Sequence, residues 1–126
     1  MLYTEGNLYA EDRALRHIAR GKVNSALAQV ETKTVHLVER LAGKIDAHLS
    51  RKCTADQLLS MVQNHESLQP EHALIDRYIK AFPELEERVL SHRERMLDKA
   101  HARLREAFAP FEYARRYAHT KGLRPQ

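Results

Sequence analysis

The chain has 126 residues, of which 43% are hydrophobic and 30% are charged, and its formal net charge is +4. This length suits one domain with a single core, and this composition is ordinary for a soluble helical protein. Charges occur along the whole chain, so no apolar run approaches the roughly 20 residues that a membrane-spanning helix needs. The N-terminus lacks a basic start followed by an apolar block, and a secretory signal is therefore not expected.

Few residues offer the chemistry of an active site. A single cysteine, Cys53, excludes an intrachain disulfide and a cysteine-based zinc cage. The pairs His36/Glu39 and Asp98/His101 have the three-residue spacing found in di-metal helical bundles, but they supply too few carboxylates for such a site. The motifs of phosphate loops, zinc proteases, serine hydrolases and calcium loops are absent. We expect a non-enzymatic, cytoplasmic protein without a cofactor or a metal.

The N-terminal part of the chain predicts two helices. A first helix is expected over 7–20, with Gly21 as its C-terminal stop. A long helix is expected over 24–49, in which Gly43 marks either close packing or a local break. Its apolar positions recur at three- and four-residue steps, which places them on one stripe: Leu27, Val30, Thr34, Leu37, Val38, Leu41, Ile45 and Leu49.

The middle of the chain predicts two shorter helices. Thr54 and Gln57 have the spacing of a capping box, which predicts a helix over 54–65. Pro70 suits the first position of a helix over 70–82, whose apolar residues cover so much of its circumference that we expect it to be buried. These two helices could also form a helix-turn-helix, although the second would present carboxylates to DNA phosphates.

The C-terminal part predicts a second long helix, over 84–108, with three glutamates in its first turn. Pro110 is expected to kink or stop this helix. A last short helix is expected over 112–119, before Gly122.

No segment alternates with the two-residue period of a strand, so the sequence predicts an all-α fold. We expect a bundle of four to six helices dominated by two long antiparallel amphipathic helices, in a single domain over 1–126. Whether residues 110–126 form a flexible basic tail is left open. The apolar stripes can be covered within one chain or by a second copy, so a homodimer is an alternative.

The positive charge is concentrated at one end of the chain. Residues 88–124 contain ten Lys or Arg and four Asp or Glu, whereas the first 87 residues contain eleven and thirteen. Four of the eight aromatic residues lie in the same basic stretch: Phe108, Phe111, Tyr113 and Tyr117. A basic helix that carries aromatic residues is more typical of a binding surface than of an active site.

We therefore expect a binding protein whose partner is a nucleic acid or another polyanion, since Lys and Arg neutralise phosphates and rings stack on unpaired bases. An acidic protein surface would match the same charges. The alternative function is a protein-protein interaction module that uses the apolar stripes. The basic residues can also be an ordinary solvated helix face without a binding role. The expected contact residues are Arg105, Arg115, Arg116, Tyr117, Lys121 and Arg124.

Overall fold

A computed structural model describes the backbone of residues 5–123 and the side chains of residues 11–112. Over the backbone range the chain forms only helices and turns: α1 (Glu5–Ala42), α2 (Ala47–Lys52), α3 (Ala55–Gln63), α4 (Gln69–Ala81), α5 (Glu86–Leu123) and two 3-10 turns. The prediction of an all-α bundle dominated by two long helices is confirmed. None of the helices in this range is both long enough and apolar enough to cross a bilayer.

The two long helices, α1 and α5, run in the same direction. Residue numbers rise together along the line of contact: Asn24 with Arg88, Glu31 with His92, and Glu39 with Arg103. The predicted antiparallel arrangement of the two helices is therefore wrong. An amphipathic stripe has the same spacing in either direction, so its periodicity does not carry this information.

The chain returns between the long helices along α3 and α4, which we call the return rod (55–81). Asp56 at its start contacts His101 of α5, and His72 farther along contacts Arg93, so the rod runs antiparallel to α5. At its end, Phe82 lies under the guanidinium of Arg16, 5.4 Å from the ring centroid. The bundle thus has three passes, with the first and third parallel.

Apolar side chains of the three passes form two separate cores. The first core joins the middle of α1, α4 and the start of α5, and its fully buried members include Val23, Val30, Ile75 and Val89. The second core joins the end of α1, α3 and the middle of α5, and α2 closes it. Its buried members are Val38, Ile45, Leu58, Val62, Ala100, Leu104 and Phe108.

The return rod is interrupted between these two cores, and Lys33 of α1 holds the interruption in place. Its Nζ donates to the backbone oxygen of Ser67, at 2.9 Å, and to Oε1 of Glu71, at 2.8 Å. The hydrogen bond from Lys33 is the main reason that the pKa of Glu71 lies below its ordinary value of 4.5. The contact therefore fixes the start of α4 against α1.

Gly21 does not stop α1, so the prediction of two helices in this segment is wrong. The glycine is exposed, and a Cβ at this position would meet no atom within 4 Å. Ala19 and Val23, on either side of it, are buried in the first core. Burial of both neighbours offsets the ~1 kcal/mol that glycine costs in a helix.

Pro110 does not end α5, and the separate short helix over 112–119 is also wrong. The helix continues through Pro110 and Gly122 to Leu123. Phe108 is buried and Phe111 packs against the second core, so both sides of the proline are anchored. We attribute the continuity of α5 to this packing, which overrides the cost of proline in a helix, about 3 kcal/mol.

The predicted helix over 24–49 instead ends at Ala42, and Gly43 lies in the turn that follows, which is a local break. Asp46 then begins α2, because its carboxylate accepts a hydrogen bond from the backbone N–H of Leu49, at 2.8 Å. The interruption is therefore a true helix end with its own capping residue.

The capping box that begins α3 is confirmed. Thr54 accepts from the N–H of Gln57, and the Gln57 side chain accepts from the N–H of Thr54. Pro70 lies in the first turn of α4, as expected. The prediction that α4 is buried is only partly right. Ile75 is fully buried, whereas Leu74, Tyr78 and Ile79 are half-buried and Ala73 is exposed.

Replacing Gly21 by Ala should raise the free energy of unfolding by about 0.5–1 kcal/mol, because the site is helical and has room for a methyl group. Urea denaturation measures the change. Gly43→Ala is the matched comparison and should give a smaller change, since Gly43 lies outside the helix. A destabilised Gly21→Ala variant would contradict a continuous α1.

Lys33→Met should lower the free energy of unfolding at neutral pH by about 1–2 kcal/mol, because it leaves the carboxylate of Glu71 without its partner. The pKa of Glu71 is lower in the folded chain than in the unfolded chain. This stabilisation is therefore present above about pH 4.5 and is lost as the pH falls below it. Urea denaturation between pH 7 and pH 3 should show the two proteins converging. The exposed Lys44→Met is the control, and a constant difference across this range would refute the assignment.

Candidate polyanion-binding groove

Four cations of α5 lie on the face that borders α1. Arg88, Arg95, Lys99 and Arg103 are separated by seven, four and four residues, a spacing that aligns side chains along one side of a helix. Each lines a cavity whose other wall is α1. We call this surface the α1–α5 groove.

The first part of the groove is a polar cleft of about 350 Å³. Arg88 is oriented by α1, because its Nε donates to Oδ1 of Asn24 at 2.8 Å. Arg95 lines the same cleft and has no hydrogen bond or ion pair to any other side chain that the structure describes. The cleft is lined by Asn24, Leu27, Ala28, Glu31, Arg88, Ser91, His92 and Arg95.

The second part of the groove is a smaller apolar cavity of about 80 Å³. Its apolar wall is formed by Val35 and Val38 of α1 with Met96 and Ala100 of α5. Two cations border this wall. Lys99 has no polar partner among the described side chains, whereas Arg103 is paired with α1. The cavity thus places apolar surface directly beside positive charge.

Arg103 binds Glu39 through two parallel hydrogen bonds. Its Nε donates to Oε1 at 2.7 Å, and its Nη2 donates to Oε2 at 3.1 Å. These hydrogen bonds hold the pKa of Glu39 below its ordinary value of 4.5. They also raise the pKa of Arg103, so both groups are charged at neutral pH and largely cancel each other.

The carboxylates that line the groove are both engaged by α5. Glu31 lies 3.4 Å from Nε2 of His92, and Glu39 is held by Arg103. Four cations therefore line the groove against two carboxylates, and Arg95 and Lys99 are left without a counter-charge of their own. The groove is electropositive in the region of these two side chains.

The predicted contact residue Arg105 does not lie in this groove. It is exposed on the outer face of α5, where helical spacing aligns it with Glu94, Asp98 and Glu112, all exposed. Arg105 therefore lies on a different face of α5 from the four cations of the α1–α5 groove.

The other predicted contact residues lie beyond the side chains that the structure describes. The backbone at Arg115, Arg116, Tyr117 and Lys121 continues α5, and Arg124 lies outside the described residues. These residues stay a prediction.

Arg88, Arg95 and Lys99 were not among the predicted contact residues. The signal that identifies them is their spacing, which is present in the sequence. The sequence does not show which helix, if any, lies beside these cations, since the same spacing would also occur on a face that is simply exposed to solvent. Only the packing of α1 beside α5 shows that these cations border a groove.

The alternative sites find no support in the described part of the chain. No group of three His, Cys, Asp or Glu residues is arranged to hold a metal ion there. His101 lies 2.7 Å from Asp56 of α3, and the half-buried Cys53 contacts the backbone oxygen of Leu49. The helices α3 and α4 pack mainly on the long helices and not on each other, so they do not form a helix-turn-helix.

No family model matches the chain, and neither the curated proteins nor the solved structures contain a significant match.

The pKa of Glu39, measured by NMR titration of its carboxyl carbon, should be below 4.5. Replacing Arg103 by Gln removes both hydrogen bonds and should return the pKa towards 4.5. Because the folded value is the lower one, the pair stabilises the fold above about pH 4.5 and loses this effect as the pH falls. An unchanged titration of Glu39 in the Arg103→Gln variant would disprove the pairing.

Proposed function

We propose that this protein is a non-enzymatic binding protein that holds nucleic acid along the α1–α5 groove. The observation that carries the proposal is the row formed by Arg88, Arg95 and Lys99, of which the last two lack a counter-charge within the described structure. Cations at regular spacing neutralise successive phosphates, and this term supplies most of the affinity in non-specific nucleic-acid binding.

The neighbouring apolar cavity adds support for an unpaired strand. Val35 is exposed, and it lines this cavity beside Lys99. Apolar surface beside a phosphate-binding cation allows an unstacked base to pack against the protein while its phosphate is neutralised. We accordingly expect single strands to bind more tightly than duplexes.

Arg115, Arg116, Tyr117 and Lys121 are kept in the proposal as further contacts for a strand longer than the groove. They belong to the same helix as the groove cations, since α5 is continuous to Leu123. A bound strand that follows α5 beyond the groove would reach them.

The alternative of a protein-protein interaction module has less support. The apolar stripes that it would use are covered inside one chain, where Val23, Val30, Val89 and Leu104 are fully buried. Among the side chains that the structure describes, the large hydrophobic residues that stay exposed are distributed over three helices: Leu15, Ile18, Val35, Met61 and Leu90. A homodimer through these stripes would first require the bundle to open.

The proposal is tested by fluorescence anisotropy with labelled single-stranded and duplex oligonucleotides of DNA and RNA at several salt concentrations. The variant replaces Arg88, Arg95 and Lys99 by Gln. Its affinity should fall, and its salt slope for single strands should decrease by about 2, since each phosphate contact contributes about 0.7.

The matched control replaces Arg40, Lys44 and Arg51 by Gln, which removes the same charge from exposed positions outside the groove. Its affinity should stay close to that of the unaltered protein. Absence of binding at low salt would overturn the function, and equal weakening in both variants would overturn the groove as its site. Arg115→Ala with Arg116→Ala reports whether the tail takes part.

A further inference from the structure

A second cleft lies on the other side of α5, where the return rod is interrupted. We call it the rod-break cleft. It has a volume of about 320 Å³, which is at the lower end of the range for small-molecule sites, about 300–1,000 Å³. Its apolar wall is formed by Val62, Leu68, Met96 and Leu97. The cleft follows from the fold, because α3 ends and α4 begins on either side of it.

The polar groups of this cleft include one side chain that can only donate hydrogen bonds, the guanidinium of Arg93, together with amides that both donate and accept. Arg93 of α5 lines it, and its Nη2 lies 3.2 Å from Nδ1 of His72. Since arginine can only donate, Nδ1 of His72 accepts, and a neutral His72 then carries its proton on Nε2. Side-chain amides lie at the rod break: Gln63, Asn64 and Gln69.

Two of the donors lack a partner although they are buried. The Nε of Arg93 makes no hydrogen bond within the described structure. Thr34, which is 2% exposed and lies between this cleft and the apolar cavity of the groove, has an Oγ1 without a partner as well. Buried donors of this kind are unusual in folded proteins, so the polar groups beside this cleft are not fully paired within the chain.

We propose that the rod-break cleft binds a small carboxylate with a short apolar body, its carboxylate on Arg93 and its apolar part against Leu68, Met96 and Leu97. Planar guanidinium groups bind carboxylates through paired charge-assisted hydrogen bonds, which gives the ligand its orientation.

Asp76 gives the proposal a distinguishing electrostatic feature. It lines the cleft and is exposed, one helical turn beyond His72. A carboxylate ligand on Arg93 would be repelled by Asp76, so Asp76 should weaken its binding. A pocket that merely collects apolar molecules would not respond to this charge.

His72 provides the spectroscopic reporter. Its pKa is below the ordinary value of 6.5, first because the side chain is partly buried and second because Arg93 is positive. Asp76 and Glu71 act in the opposite direction. A carboxylate that binds Arg93 would offset its positive charge, and the pKa of His72 should therefore rise on binding.

The experiment titrates the full chain with isovalerate and, as an uncharged match of the same shape, with isovaleramide. NMR signals of the His72 ring and of the backbone amides at 62–76 follow binding. Isovalerate should give saturable shifts confined to the cleft and raise the pKa of His72, whereas isovaleramide should bind at least about tenfold more weakly, because it lacks the charge.

Three variants complete the test. Arg93→Gln should weaken isovalerate binding at least about tenfold, and Arg93→Lys should recover part of the affinity, because it keeps the charge. Asp76→Asn should strengthen binding about two- to fivefold, since it removes a like charge. Circular dichroism shows whether each variant keeps the fold.

The outcomes are decisive even if Arg93→Gln fails to fold. No saturable shift with isovalerate, equal binding of isovaleramide, or unchanged affinity in Asp76→Asn would each overturn the proposal. Because the probes carry no phosphate and the variants lie outside the α1–α5 groove, these results are independent of nucleic-acid binding.

Discussion

The interruption of the return rod between Gln63 and Gln69 is the constraint on which the architecture depends. A rod that ran straight back would form one continuous core with α1 and α5. Because it breaks, the apolar side chains divide into two cores, and Lys33 fixes the break by binding both Ser67 and Glu71. The hydroxyl of Thr34, which has no hydrogen-bond partner within the described structure, and the side chain of Met96 lie where the two cores meet.

The helix α5 has a different role on each of its sides. Arg88, Arg95 and Lys99 face the groove beside α1, where free positive charge dominates. Arg93 and Leu97, on the side towards the return rod, face a partly buried cleft in which one guanidinium lies beside a neutral imidazole. The arginines on these two sides differ chiefly in burial. The exposed arginines of the groove are suited to contact a long polymer along the surface, whereas the partly buried Arg93 is suited to contact a small molecule inside a cleft.

Local features of the fold could be predicted from the sequence wherever a short motif determines the structure. The capping box at Thr54 and Gln57 is one example, and the apolar stripe that includes Val30 and Val38 is another. The predictions at Gly21 and Pro110 failed because local propensity was outweighed by burial on both sides of each residue. The direction of α5 could not be predicted, since periodicity is identical in both directions. The groove depended on that direction, because it decides which cations lie beside α1.

Because the first and third passes are parallel, the two ends of the bundle's chain lie far apart, which determines where a protein fused to either end would be placed. The polypeptide enters the bundle at one end and leaves it at the opposite end, and α5 alone is about 57 Å long at 1.5 Å per residue. Two proteins fused in series to its beginning and its end would be kept apart by the length of the bundle. Circular permutation would likewise need a linker that spans the whole molecule, which a two-helix hairpin with adjacent ends does not require.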